Sequence, residues 1–368
     1  MAWRNKTMVT EFVLMGLSSS WEMQLFLFIF LLLLYAVTLF SNILIILSTS
    51  QNRHLFNSPM FFLLSHLAFL DICLASFATP RALLGFLTQH QAISFQNCMT
   101  QIFFLHLFGG SEMLLLIVMA YDRYVAICHP LHYASVMSRS PCVGFVLASW
   151  TGGLLHTSVQ LGFMLSVPFC GPNQIDNFFC DIPLVIKLAC VDPYPLEVMM
   201  VANSGILSLV CFVALLVSYG LILSTFCSRH HSEGSSKALS TCTSHIMVLI
   251  MYFGPCIFIY LRPHTRFMFD KVISVFYTAV TPFVNPTIYA LKNKEMRAAM
   301  RKLVSRHLGQ INMIRGIIYL ENLWGSQYNW PVCQGKNGAG RCRVCYFFMY
   351  WAPAECVCMC NVTTWFVR

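Results

Sequence analysis

The residues able to do chemistry in this 368-residue chain are few, and several lie where ionisable groups are costly. Asp122 and Arg123 stand side by side at the end of a long apolar run, Ile102 to Ala120, just before a Pro-His loop. A charge in or beside hydrocarbon costs several kcal/mol unless it is paired or reaches water. Arg123 carries a planar, permanently charged guanidinium, and Asp122 is its adjacent counter-ion. The chemistry this suggests is a switch, a local pair that a partner can compete for. The bland alternative is an ion pair that anchors a helix end at the membrane interface.

Asp71, Glu112, Asn42 and Asn285 fall within four different apolar runs. Polar groups at that depth face a bundle interior, where they form a network able to hold a sodium ion or protons. The competing reading is interhelical hydrogen bonding that only holds the bundle together, worth about 0.6–2 kcal/mol each. In Asn285-Pro286-x-x-Tyr289 the proline removes a backbone donor and kinks its helix, so the spacing predicts a hinge beside that network. Cys98, Cys170, Cys180 and Cys190 fall in segments read as extracellular, where oxidation is permitted, and four cysteines allow three pairings. The cysteines of the apolar runs read as reduced. No nucleophile–base set and no metal triad appears in these runs, which argues against an enzyme.

The elements that must position these residues follow from composition. At 57% apolar and 10% charged residues the chain lies far from a soluble domain, where about a quarter of residues are charged. Seven apolar runs are long enough to cross a bilayer: Gln24–Thr49, Pro59–Leu87, Cys98–Ile127, Cys142–Val167, Leu196–Phe226, Leu239–Leu261 and Val272–Leu291. All are expected to be helices, since backbone in lipid must satisfy its hydrogen bonds within the segment. No cleavable signal peptide is evident, so the first run is expected to serve as targeting signal and anchor. One set of loops carries Arg53, Arg139, Arg229, Lys237 and the basic cluster from Lys292 to Arg306. The other set carries Glu11, Glu22, Asp176, Asp181, Asp192, Glu197 and Asp270. This asymmetry places the amino terminus outside, with the +9 net charge a matter of membrane topology and not of nucleic-acid binding. The sequon at Asn5 agrees with that orientation and is read as glycosylated.

Four motifs in order resemble the olfactory receptors, of the tetrapod-type branch, among the rhodopsin-like G protein-coupled receptors. They are Pro59-Met-Phe-Phe-Leu-Leu-Ser-His-Leu-Ala-Phe-Leu-Asp71, Met119-Ala-Tyr-Asp-Arg-Tyr-Val-Ala-Ile-Cys128, Ser236-Lys-Ala-Leu-Ser-Thr-Cys-Thr-Ser-His245 and Pro282-Phe-Val-Asn-Pro-Thr-Ile-Tyr-Ala-Leu-Lys-Asn293. The resemblance covers residues 1 to about 306 and implies an all-α seven-helix membrane bundle with a short amphipathic helix after span seven. It further implies a plasma-membrane receptor that binds a small volatile organic ligand and activates a stimulatory, olfactory-type heterotrimeric G protein to raise cyclic AMP. In that reading Asp122, Arg123, Tyr124, Tyr219, Asn285, Pro286 and Tyr289 are the switch, and a sodium ion near Asp71 and Glu112 is the one possible cofactor. The implied disulfides are Cys98–Cys180 and Cys170–Cys190.

The ligand cavity is expected between the outer halves of spans three, five, six and seven. Its expected lining is Leu105, His106, Gly109, Gly110, Asn203, Ile206, Leu207, Phe253, Cys256, Ile257, Tyr260 and Thr278, with His106, Asn203 or Tyr260 supplying hydrogen bonds. Leu105, where amine receptors typically carry an acid, argues against a cationic amine. Ser41 before Asn42, and Tyr252-Phe253-Gly254-Pro255 in span six, depart from the family pattern. A non-olfactory chemoreceptor of the same fold is the alternative. A transporter or channel would show paired repeats or broken helices near the midplane, and none is evident. Residues 307–368 form a second segment rich in Cys and Trp that the family pattern does not contain. It reads as an aberrant cytoplasmic tail without an evolved role; membrane contact through its aromatics is the second reading, and a zinc knuckle would need more than its single Cys342-x-x-Cys345.

Overall fold

The computed structural model describes residues 9–17, 20–87, 91–170, 173–228, 233–262, 269–306, 333–335 and 338–340, with side chains described except within 226–242, 244–245, 289–292 and the last two segments. Asn5, and the cysteines proposed for a knuckle in the tail, lie outside the described residues. The chain divides into two compact units, Met1–Leu303 and Val304–Arg368. In the second, Cys333–Gly335 and Gly338–Gly340 pair antiparallel.

Each apolar run is helical. Span one is Trp21–Gln51, span two Pro59–Leu87, span three Phe95–Cys128 and span four Arg139–Leu165. Span five runs through Tyr194–Met200, a π turn at Val201–Ile206 and Leu207–Ser228. Span six is Glu233–Tyr260, and span seven comprises Asp270–Val275, a π turn at Phe276–Val280 and Thr281–Lys292. Five of these are long and apolar enough to cross a membrane by length and composition. Span six, with an apolar helix over Ile246–Tyr260 among the described residues, and the interrupted span seven complete the seven-helix bundle. Most helices outrun their apolar sequence by a turn or less, because hydropathy marks only the hydrocarbon crossing. Span six begins at Glu233, six residues before Leu239, since its first turns are polar. The irregularity of span seven lies at Phe276–Val280 and not at Pro286, which sits within the regular stretch Thr281–Lys292. The irregularity thus lies about two to three turns before the proline at which a hinge was expected.

Large apolar side chains on the outside of the bundle, such as Phe26, Leu33, Leu155 and Val217, are exposed, as a lipid-facing surface requires. Inside, span three is central and packs closely on span four at glycines. A Cβ on Gly153 would lie 2.2 Å from Ser111 Oγ and 2.7 Å from the Leu107 carbonyl oxygen, so these backbones are in contact. Such small-residue seams are the usual route to close helix packing in lipid. A basic helix over 294–306 follows span seven, its first turn capped by Asn293 Oδ1, which accepts from the amides of Glu295 and Met296.

The end of the bundle that carries the amino-terminal segment holds a feature that the sequence did not suggest. Strand β1 (Glu11–Leu14), β2 (Ala92–Ser94) and β3 (Gln174–Ile175) form a sheet in the order β2-β1-β3. Strand β1 is antiparallel to β2 and parallel to β3, which ties the amino-terminal segment to the loop between spans four and five. Lys271 Nζ at the top of span seven meets Asp176 Oδ1 at 2.6 Å and donates to the Gly16 carbonyl at 3.0 Å. Disulfides Cys98–Cys180 and Cys170–Cys190 hold that loop down, in the pairing the resemblance implied.

Candidate functional site

Under this cap the helices enclose a cavity offering about 50 Å³ to the centres of water-sized molecules, room for several waters. Seven of the expected residues line it: Leu105, His106, Gly109, Gly110, Cys256, Tyr260 and Thr278. Five do not, for two reasons of helix register. The π turn at Val201–Ile206 inserts an extra residue into span five, which turns Ser204 toward the cavity. Asn203 instead donates to the His156 carbonyl of span four at 3.2 Å, Ile206 is 49% exposed on the lipid side, and Leu207 packs into the core beside the cavity. In span six the lining face is Tyr252, Cys256 and Tyr260, so Phe253 stacks on Phe212 away from it and Ile257 is only partly buried.

Sequence reasoning missed the most polar element of the site. Asp181, the residue after disulfide-bonded Cys180, enters the lining from the loop between spans four and five and is buried. Its Oδ1 accepts from Tyr260 Oη at 3.0 Å and from its own helix-start amide at Ile182, 2.8 Å, while Oδ2 accepts from Tyr277 Oη. Burial pushes the carboxyl up to about 6, and these three donors offset part of that rise. His106 Nε2 stands 3.8 Å from Asp181 Oδ1, and its ring packs edge-on against those of Tyr260 and His156. The bridge from Cys180 to the top of span three was the available signal, since it obliges the next residue to sit over the bundle. Cys180 is fixed further by its amide, which donates to Gln101 Oε1 at 2.9 Å.

Within the lining, Tyr252 Oη donates to the Gly109 carbonyl at 2.7 Å. Deeper still, Asn285 Nδ2 donates to Asp71 Oδ1 at 3.0 Å and to Glu112 Oε1 at 2.9 Å, joining spans two, three and seven through one fully buried amide. Among the described residues no donor reaches Asp71 Oδ2 or Glu112 Oε2 and Asn285 Oδ1 is without a partner, while the two carboxyls lie within hydrogen-bonding reach of each other. Asn42 is not part of this cluster. It donates to the Thr38 carbonyl at 3.0 Å and the Pro282 carbonyl at 3.2 Å, tying span one to span seven.

At the opposite end of the bundle the expected Asp122–Arg123 pair is not made. No ion pair within 4 Å joins them among the described residues: Asp122 Oδ1 accepts from Tyr133 Oη at 2.9 Å, and Arg123 Nη2 reaches Met60 Sδ of span two. Consecutive residues on a helix point about 100° apart and do not face one another, so adjacency in sequence did not predict the partner. Tyr124 Oη lies 3.3 Å from His129 Nε2, and Tyr219 is buried in span five. The side chain of Tyr289 lies outside the described residues.

The helices form a seven-span membrane bundle with a capped cavity at one end, a buried acid–amide cluster below it and an arginine at the other end. A family model described as "Olfactory receptor" matches residues 31–307. Homo sapiens olfactory receptor 4K3 is 56% identical over 305 residues, covering 83% of this chain and 96% of the relative. Olfactory receptor 4K1 is 54% identical over 308 residues (84% and 98%), and olfactory receptor 4Q3 is 53% identical over 295 (80% and 94%), both from Homo sapiens. The chain belongs to the olfactory receptor family, and so to the G protein-coupled receptors of the plasma membrane, which are not enzymes.

Proposed function

We propose that this chain is an odorant receptor that takes a small, mostly apolar volatile into the capped cavity and activates a stimulatory G protein, raising cyclic AMP. The observation that carries the reading is the stack of the three polar layers in one bundle. The cavity has Tyr252 and Gly109 in its lining, the Asn285 cluster beneath them joins three spans, and Arg123 stands at the inner end. Ligand binding acts by population shift, so an agonist must bind the open bundle more tightly than the resting one. The unpartnered oxygens of Asp71 and Glu112 suit a shared proton or a sodium ion that leaves as the cluster repacks. An outward amino terminus is supported by strand β1, which pairs beside a loop closed by two disulfides, and disulfides persist in oxidising compartments. Residues 307–368, beyond the family match, are read as a tail without a signalling role.

A cyclic AMP reporter over an odorant panel tests this. Full-length chain and a truncation after Arg306 should respond alike, and Arg123→Ala should be silent at equal surface display. An Arg123→Ala receptor that signals normally would overturn the coupling reading.

A further inference from the structure

The cavity's polar groups differ in how much of their hydrogen bonding is already committed. Of the three side chains expected to hold a ligand, Asn203 is engaged with the His156 carbonyl and Tyr260 with Asp181. Among the described residues His106 Nε2 is buried and without a hydrogen-bond partner, as is Nδ1 of the neighbouring His156. Both rings line the cavity and are over nine-tenths buried. Unmet polar atoms at such depth are costly, so an occupant that meets them gains what the protein alone forgoes.

His106 Nε2 faces Asp181 Oδ1 at 3.8 Å, too far for a direct hydrogen bond. The nitrogen facing a carboxylate oxygen is the one that carries the proton, since two acceptors would repel. The gap therefore presents an N–H donor on one side and, on the other, a carboxylate oxygen that already accepts from Tyr260 Oη and the Ile182 amide and would take a third donor. A single oxygen at about 2.7–2.9 Å from each would complete both bonds, with the two subtending near a right angle at it. That atom must accept from His106 and donate to Asp181. A water or a hydroxyl does both; a carbonyl or ether oxygen only accepts, and would stand against the carboxylate with nothing to give. Asp181 is held in place for this by Tyr260 from span six and Tyr277 from span seven. The rest of the lining, including Leu74, Ile102, Leu105 and Met113, is apolar and suits a carbon skeleton.

We infer that His106 and Asp181 together form a hydroxyl-reading subsite, and that the receptor's agonists are small alcohols or phenols whose oxygen bridges the two. This rests on the cavity being the ligand site. The hydroxyl displaces a water of the same hydrogen-bonding pattern, which explains how a neutral group is selected beside a carboxylate. An acid delivered by the loop also replaces the argument from Leu105 on span three, which considered only one place from which a carboxylate could come.

The test uses C5–C8 alcohols, linear and cyclic, each with the ketone or aldehyde, methyl ether and amine of the same skeleton, on the full chain at the cell surface with a cyclic AMP reporter. The alcohol should be about tenfold more potent than its ketone and ether, as expected for one hydrogen bond lost. That preference should collapse in His106→Phe, which keeps the aromatic volume, and return in part in His106→Gln, which restores an N–H. Equal potency of alcohol and ketone, preference for the amine, an intact preference in His106→Phe at normal display, or silence to every alcohol would each overturn the inference. Cys256→Phe separates the two levels. If it abolishes responses to ketones and ethers that match the alcohols, the cavity stands as the ligand site and the hydroxyl subsite falls. If all responses survive it at normal display, the site reading itself fails and the subsite with it.

Discussion

The seam between spans three and four allows a prediction with its sign worked from geometry. Gly153→Ala places a methyl 2.7 Å from the Leu107 carbonyl oxygen and 2.8 Å from the Ser111 amide nitrogen, as well as 2.2 Å from Ser111 Oγ. The hydroxyl can rotate away, but the two backbone atoms cannot, so the spans must part by roughly half an ångström or more to restore ordinary contact distances. Overpacking of this kind costs about 1–3 kcal/mol. Replacing glycine by alanine within a helix returns about 0.5–1 kcal/mol. The net expectation is a loss of about 1–2 kcal/mol. Gly144 and Gly162 lie on the same helix with nothing within 4 Å of a built Cβ, so alanine there carries the helical gain without the clash. Thermal unfolding of purified receptor in detergent, with surface display in cells, should rank Gly153→Ala below wild type and both controls at or above it. Adding Ser111→Ala should not rescue Gly153→Ala, because the backbone obstacles persist. If Gly153→Ala unfolds with the controls, the backbones are not in contact and the account of this seam is wrong.

Two further expectations concern the buried polar groups. Asn285→Leu removes the amide that donates to both Asp71 and Glu112, leaving the two acids without that shared donor, and should lower thermal stability by about 1–3 kcal/mol. Asn42→Leu, which frees only two backbone carbonyls, should cost less, and equal losses would contradict the cluster's central role. Asp181 gives a pH dependence: its folded carboxyl titrates near 6, above its ordinary 3.8, so the native state binds the proton more readily than the unfolded chain. Stability from this group is therefore fully present below about pH 4 and is lost as pH rises through 6. The groups facing it are His106 from span three, Tyr260 from span six and Tyr277 from span seven, with His156 and Cys256 farther along the same cavity. Melting temperature followed from pH 4 to 7 should lose this component in Asp181→Asn, and an unchanged profile in that variant would assign the effect elsewhere.

Much of the architecture was legible because a bilayer leaves the chain little choice. A run such as Gln24–Thr49 must become a helix, and the observed Trp21–Gln51 differs only where the helix extends into water. Depth alone marked Asp71, Glu112 and Asn285 as interior groups, and they meet. Depth also marked Asn42, which points to another neighbour, because burial does not specify a partner. The span-five lining failed at Asn203, Ile206 and Leu207 for a definite reason: a π turn changes helix phase, and no single residue in Val201–Ile206 announces it. The tie of the amino-terminal segment into β1, and the arrival of Asp181 over the cavity, depend on pairings between segments far apart in the chain.

The sequence by itself determined a membrane receptor of the olfactory family, with seven spans, a set of buried polar groups and an arginine at the end of the third span. Those follow from composition, from periodic cost in hydrocarbon and from local motifs, all of which are properties of short stretches. Tertiary structure alone decided which groups face one another. It turned Asp122 to Tyr133 instead of Arg123, engaged Asn203 and Tyr260 elsewhere, and left His106 opposite Asp181 across a gap one oxygen wide. Helix phase, loop closure and disulfide bridging set those distances, and none of them is a function of neighbouring residues in the chain.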